Sequence, residues 1–103
     1  MNAPTTILPQ DPTEAVTVMI EITKRLLIAM QEEARAIQIK NEVAMLDVET
    51  LKNKLVPMYE MAAEEFRARA ADFKDVAPHL LHDLQEVQTE LAQVARDNQF
   101  NLA

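Results

Sequence analysis

Glycine, cysteine and tryptophan are all missing from this sequence of 103 residues, which contains one tyrosine and three phenylalanines. Without cysteine, neither a disulfide framework nor thiol chemistry is available, which is compatible with the cytoplasm. Without glycine loops, and with only two histidines, the chain offers little from which to build a catalytic pocket. The sequence also contains no catalytic motif, so we expect a protein without enzymatic activity and without a cofactor.

The abundant residue types favour helix. Alanine, leucine, methionine, glutamate and glutamine lose little side-chain freedom in a helix, and glycine, which disfavours helix, is absent. We therefore predict an all-α fold. A chain of this length forms one domain with a modest core that buries roughly 60–65% of the unfolded surface.

The net charge of −7 argues against a nucleic acid or an anionic membrane surface as partner, because the ten basic residues are scattered along the chain. No Lys or Arg precedes Lys24, and Glu14 and Glu21 interrupt the first apolar run, which is not typical of a signal peptide. No apolar run approaches the ~20 residues of a membrane span. We expect a soluble cytoplasmic protein.

The first helix is predicted to begin near Pro12. Residues 1–11 carry two prolines and two threonines without a helical period, and they predict a flexible N-terminal arm. Asp11 is a good N-cap, and Pro12 suits the first helical position, where its missing N–H costs nothing.

A long apolar stripe follows, with its members spaced alternately by four and three residues. All but Thr23 and Asn41 of its fourteen positions are apolar, and the mean spacing of 3.5 residues is that of a left-handed coiled coil. The stripe consists of Val16, Ile20, Thr23, Leu27, Met30, Ala34, Ile37, Asn41, Ala44, Val48, Leu51, Leu55, Met58 and Ala62. The stripe slips near residue 65, where Glu65 and Arg69 occupy the positions expected for apolar residues. This slip indicates a change of packing partner there.

Two more features divide the rest of the chain. Pro57 lies inside the helical pattern and predicts a kink between Asn53 and Pro57. Pro78 suits the first turn of a third helix. We therefore predict three long helices in an antiparallel coiled-coil-like bundle, at about 12–38, 41–74 and 78–98. These form a single helical domain at 12–98, followed by a C-terminal tail at 99–103.

The pair Lys40 and Asn41 supports two interpretations. Because the stripe keeps its phase across the pair, one continuous helix on the order of 70 Å long is possible, with Asn41 as a buried polar position that fixes register. Apolar residues on other faces suggest two helices, each packed against more than one neighbour, and so favour a hairpin with Asn41 as the N-cap of the second helix. Those residues are Met19, Ile22 and Leu26 before the pair and Ile39, Val43 and Leu46 after it.

Apolar residues with one glutamate, one asparagine and one lysine surround the pair: Leu26, Leu27, Met30, Glu33, Ile37, Asn41, Leu46, Lys52 and Leu55. With these residues, the segment from Met30 to Leu55 resembles the FlgN family of flagellar export chaperones. In that family a Leu-rich first helix with a glutamate leads to a small polar residue that opens the second helix, and a Leu-rich run then leads to a lysine and a leucine. Lys40 stands where the family often has glycine.

The resemblance implies a protein of three antiparallel helices without enzymatic activity. Such a chaperone binds amphipathic C-terminal helices of hook-associated proteins, which form the hook–filament junction. It keeps them secretion-competent and delivers them to the flagellar type III export apparatus. The resemblance also favours a turn at Lys40 and Asn41. The alternative is a self-associating coiled-coil adaptor or assembly subunit without an export role. Such a protein could form a homodimer.

Candidate partner-binding residues lie on the third helix and beside Pro57. Met side chains repack around varied apolar partners, so the five methionines after Met1 either fill the core or line a groove for an amphipathic helix. The apolar face of the third helix either docks within the chain or is displaced by such a partner. The candidates are Leu80, Leu84, Val87, Leu91, Val94, Met58 and Met61.

His79 and His82, with Asp83 and Glu86, have a spacing that could in principle hold a metal on one helix face. The sequence offers no further histidine and no cysteine to complete the ligand set. We interpret these residues as a solvated helix face and predict no metal site.

Overall fold

The structure is a computed structural model that describes residues 6–98. It contains three α-helices: α1 at Pro12–Gln38, α2 at Glu42–Ala68 and α3 at Pro78–Asp97. A short 3-10 helix at Ala70–Phe73 connects α2 to α3. The predicted all-α fold with three helices is confirmed. Residues 1–5 of the predicted arm and the predicted tail lie outside the described residues.

Helix α1 begins as its sequence predicts. The Asp11 carboxylate accepts a hydrogen bond from the backbone N–H of Glu14 at 3.0 Å, and Pro12 occupies the first turn. This bond satisfies one of the N–H groups that have no partner inside the helix.

The turn between α1 and α2 shows that the chain forms a hairpin and not a continuous rod. The N–H of Asn41 donates to the carbonyl of Ala36 at 2.9 Å, and the N–H of Lys40 donates to the carbonyl of Ile37 at 3.1 Å. These two bonds form a Schellman motif, which ends α1 with Lys40 in the left-handed region at φ 56°. The side-chain oxygen of Asn41 then accepts from the N–H of Ala44 at 3.1 Å and opens α2.

Helix α2 is shorter than the predicted helix at 41–74. It is continuous through Pro57 and ends at Ala68, six residues early. The 3-10 helix that follows brings Phe73 into the core, where its ring stacks on that of Phe66 at a centroid distance of 4.2 Å. The burial of Phe73 and of Val76 after it explains why the chain leaves the α-helical path before the expected residue.

Helix α1 lies between α2 and α3 and packs against both. Helix α2 runs back along α1 from the turn, whereas α3 runs in the same direction as α1. The side chain of Asn98, which caps the end of α3, donates to the carbonyl of Met30 at 2.8 Å. Helix α3 therefore stops beside Met30 and leaves the last two turns of α1 uncovered.

Burial follows the predicted stripe in α1 as far as Met30 and again in α2, with a gap around the turn. The first five stripe positions, from Val16 to Met30, are buried, whereas Ala34, Ile37 and Leu51 are exposed. Because α3 ends beside Met30, it does not cover the stripe positions Ala34 and Ile37. In α2 the stripe positions Val48, Leu55 and Ala62 are buried, and Lys52 is buried in place of Leu51.

Residues 7–10 of the predicted flexible arm are docked on the end of α2. The side chain of Leu8 is 3% exposed and belongs to the core. The Glu65 carboxylate accepts hydrogen bonds from the N–H groups of Ile7 and Leu8. This docked segment is the new packing partner that the slip of the stripe near residue 65 indicates.

Within residues 6–98, none of the helices combines the length and the hydropathy needed to cross a membrane.

Candidate protein-binding surface

The predicted apolar face of α3 is docked on α1. Leu84, Val87 and Leu91 are each less than a tenth exposed and belong to the core, and Leu80 and Val94 are half-buried against it. In this state the face does not present a groove to a partner. A partner that used it would have to displace α3 from α1.

The methionines divide between core and surface. Met19 and Met30 are fully buried in α1, and Met58 is half-buried against the core. Met45 and Met61 are exposed on α2, with 49% of Met61 accessible. The core-filling interpretation therefore describes the methionines of α1, while two methionines of α2 remain available to a partner.

Exposed apolar side chains surround the turn between α1 and α2. Their exposed fractions lie between 38% and 70%, high values for large apolar residues. We call this set the hairpin-end surface, and it consists of Ile37, Ile39, Val43, Met45 and Leu46. Several large apolar residues exposed together are the usual mark of an interaction site, whereas single ones need no explanation.

Side-chain contacts join the helices that carry the hairpin-end surface. The Lys52 ammonium of α2 lies 2.6 Å from the Glu33 carboxylate of α1, and both side chains are largely buried. The side-chain amide of Asn98 lies 3.5 Å from the other carboxylate oxygen of Glu33. This contact joins all three helices just before the uncovered end of the hairpin. The exposed residues are therefore carried on packed helices and a doubly capped turn.

Acidic side chains flank the hairpin-end surface. Two exposed glutamates, Glu42 and Glu49, line a shallow depression together with Met45 and Leu46. A second depression on the hairpin is lined by Glu32, Arg35, Ala36, Ile39, Ala44, Asp47 and Val48. Four carboxylates against Arg35 and nearby Lys40 give the surroundings a net negative charge. The surface suits an apolar partner with basic flanks.

The histidine face of α3 is solvated. His79 and His82 are exposed, and the His82 ring lies 3.3 Å from the Glu86 carboxylate, one helical turn along. In the part of the chain from residue 6 to residue 98, no three His, Asp or Glu side chains come close enough together to hold a metal ion.

Among residues 6–98, Tyr59 has a clearly perturbed pKa. Burial raises the pKa of Tyr59 above its usual value of 10.0, and the positive charge of Arg67 acts in the opposite direction. Tyr59 lies on α2, packed against the core. A tyrosine that keeps its proton in this way fits a packing role.

The resemblance residues occupy positions that define the hairpin. Asn41 caps α2, Glu33 and Lys52 pair across the two helices, and Leu55 is buried. No protein-family model matches the chain, and no curated protein or solved structure matches it significantly either.

Three of the five residues of the hairpin-end surface could be recognised in the sequence. Ile39, Val43 and Leu46 belong to the apolar set that lies off the main stripe. That set predicted a second helical neighbour for each arm of the hairpin. Helix α1 has two neighbours, whereas α2 contacts mainly α1, so these residues have no helix against them in residues 6–98.

Proposed function

We propose that this protein is a cytoplasmic flagellar export chaperone of the FlgN type, which binds hook-associated proteins and keeps them competent for secretion. The observation that carries the proposal is the hairpin-end surface, where five large apolar side chains are exposed on an all-α scaffold. The resemblance around Glu33, Asn41 and Lys52 supplies the choice of family, and these residues build the hairpin that presents the surface.

An amphipathic helix is the partner shape that this surface fits. Such a helix places apolar anchors every three or four residues and lays them against exposed apolar side chains of the other protein. Val43 and Leu46 are three residues apart and expose 70% and 69% of their surface. Burying them would remove apolar area from water at about 25 cal/mol per Å². Lysine or arginine on the flanks of the partner helix would face Glu42, Asp47 and Glu49.

Co-purification tests the export role. The tagged chain, expressed in the cell from which it comes, is expected to enrich hook-associated proteins and to bind the C-terminal helical segment of one of them as a 1:1 complex. An unrelated acidic helical protein of similar size serves as control. If no flagellar export substrate is enriched over that control, the export role is wrong.

A self-associating adaptor is the second candidate, and one observation favours it. Val43 and Leu46 lie three residues apart on α2, as the two apolar positions of a heptad do, and both are exposed. Light scattering over a range of concentrations distinguishes the two. A dimer that survives dilution and that Leu46→Asp converts to a monomer supports the adaptor, whereas a wild-type monomer supports the chaperone.

A further inference from the structure

The end of α2 holds an extended piece of polypeptide through its main chain. The Glu65 carboxylate accepts from two successive N–H groups, those of Ile7 at 2.9 Å and Leu8 at 3.0 Å. The Arg69 guanidinium donates to the next two carbonyl groups, those of Pro9 and Gln10, each at 2.7 Å. Four consecutive residues are thus bound by one acidic and one basic side chain.

Arg69, one of the two side chains that bind the segment, is itself held in place. The Arg69 guanidinium donates to the Asp72 carboxylate at 3.2 Å and lies 5.3 Å from the centre of the Phe73 ring. The sequence suggests an ion pair between Glu65 and Arg69, one helical turn apart, but each side chain is used to bind the N-terminal segment instead. The site is therefore built by α2 and the 3-10 helix.

Only one side chain of the bound segment is fully buried. Leu8 is 3% exposed, whereas Ile7 and Pro9 are half-buried and Gln10 is exposed. Main-chain hydrogen bonds supply recognition that any extended polypeptide can satisfy, and the buried side chain supplies the selectivity. Pro9 fits because the site requires no N–H at that position.

We propose that this surface, formed by Glu65, Arg69 and the pocket of Leu8, is a binding site for an extended, leucine-containing segment of a partner protein. Residues 7–10 of the chain itself are its resident occupant. The site lies about 30 Å along α2 from the hairpin-end surface, at 1.5 Å per residue. It is independent of the proposed helix-binding function, because its occupant is extended and not helical.

The resident segment competes with any incoming one. Residues 7–10 precede the N-cap Asp11 directly, so they remain beside the site at an effective concentration in the millimolar range. A free peptide therefore binds the wild-type chain weakly. Weakening the hold on the resident segment is expected to open the site.

The test uses the full chain, labelled with ¹⁵N, and a blocked peptide with the sequence of residues 6–11, Thr-Ile-Leu-Pro-Gln-Asp. The variant Leu8→Asp releases the resident side chain, because a carboxylate cannot occupy an apolar pocket without a large cost. We expect this variant to bind the peptide at least about tenfold more tightly than the wild-type chain does. The amide resonances of residues 65–73 should shift on binding.

Matched variants show whether the site is the one described. In the Leu8→Asp background, Arg69→Gln and Glu65→Ala should each remove peptide binding. The control substitutions Arg67→Gln and Glu64→Ala, at neighbouring exposed positions, should leave peptide binding unchanged. A peptide with its leucine replaced by aspartate should not bind. Circular dichroism verifies that each variant is helical, and Leu8→Ala replaces Leu8→Asp if the latter unfolds.

Two outcomes would overturn the proposal. The first is the absence of shifts at residues 65–73 at millimolar peptide in a folded, Leu8-substituted chain. The second is a wild-type dimer that Leu8→Asp converts to a monomer, which would show that the site takes the N-terminal segment of a second copy instead.

Discussion

The ammonium of Lys52 lies 2.6 Å from the carboxylate of Glu33, and this contact joins α2 to α1 with little access to water. Removing two charges from water is costly, and their attraction repays that cost only while both are present. The pair therefore fixes the alignment of the two helices. Removing one charge of the pair should destabilise the fold more than replacing both.

We predict that Lys52→Met or Glu33→Leu alone lowers the free energy of unfolding by about 3 kcal/mol, since each removes one charge of a largely buried ion pair. The double substitution should cost clearly less than the sum of the two. Urea denaturation of all four chains gives the coupling energy in a double-mutant cycle. If each single substitution lowers the free energy of unfolding no more than the loss of an exposed ion pair does, then water solvates the contact.

Lys40 occupies a backbone conformation that suits glycine, with φ at 56°. The left-handed region costs a residue with a Cβ about 1 kcal/mol or more, and glycine avoids that cost. Lys40→Gly should therefore raise the free energy of unfolding by roughly 1 kcal/mol. Gln31→Gly, at an exposed position inside α1, is the control, and it should lower stability by a similar amount. If both substitutions destabilise, the turn is not the Schellman motif described.

Because of Tyr59, the free energy of unfolding should fall as the pH rises above 10. Burial raises the pKa of the folded tyrosine, while the unfolded chain loses the same proton near its ordinary pKa of 10.0. Above that pH the unfolded state binds fewer protons than the folded state, so deprotonation favours unfolding.

The change Tyr59→Phe removes the titrating group and keeps the packing of the ring. Urea midpoints at pH 9 and pH 11 should decrease more for the wild-type chain than for Tyr59→Phe, which controls for the lysines that titrate in the same range. Equal decreases in the two chains would contradict the role of Tyr59.

The parts of the fold that depend on local chemistry could be predicted from the sequence. Asp11 before Pro12 and Asn41 before the second apolar run each mark a helix start, because the cap bonds a backbone N–H only three residues on. The apolar period alone could not decide between a rod and a hairpin, because it passes unbroken through Lys40. The left-handed turn at Lys40 has no glycine to signal it.

The parts that depend on distant residues could not be predicted. Helix α2 ends early because Phe73 turns back into the core, and Leu8 is buried because Glu65 and Arg69 bind the main chain around it. The exposed hairpin end likewise depends on where α3 stops, which Asn98 fixes beside Met30. The sequence shows that α3 has an apolar face, but not how far along α1 that face reaches.

The hairpin-end surface carries the proposed function, and substitutions there test it most directly. Isothermal titration should compare the wild-type chain with Val43→Asp/Leu46→Asp and with the control Ile28→Asp, an exposed apolar position on the middle of α1. The titrant is the C-terminal helical segment of a hook-associated protein.

All three chains should have the same helix content, because none of the substituted residues is buried. The proposal predicts a 1:1 complex that the double variant weakens at least tenfold, about 1.4 kcal/mol, while Ile28→Asp binds like the wild-type chain. Equal affinity of the folded double variant and the wild-type chain would contradict the central claim.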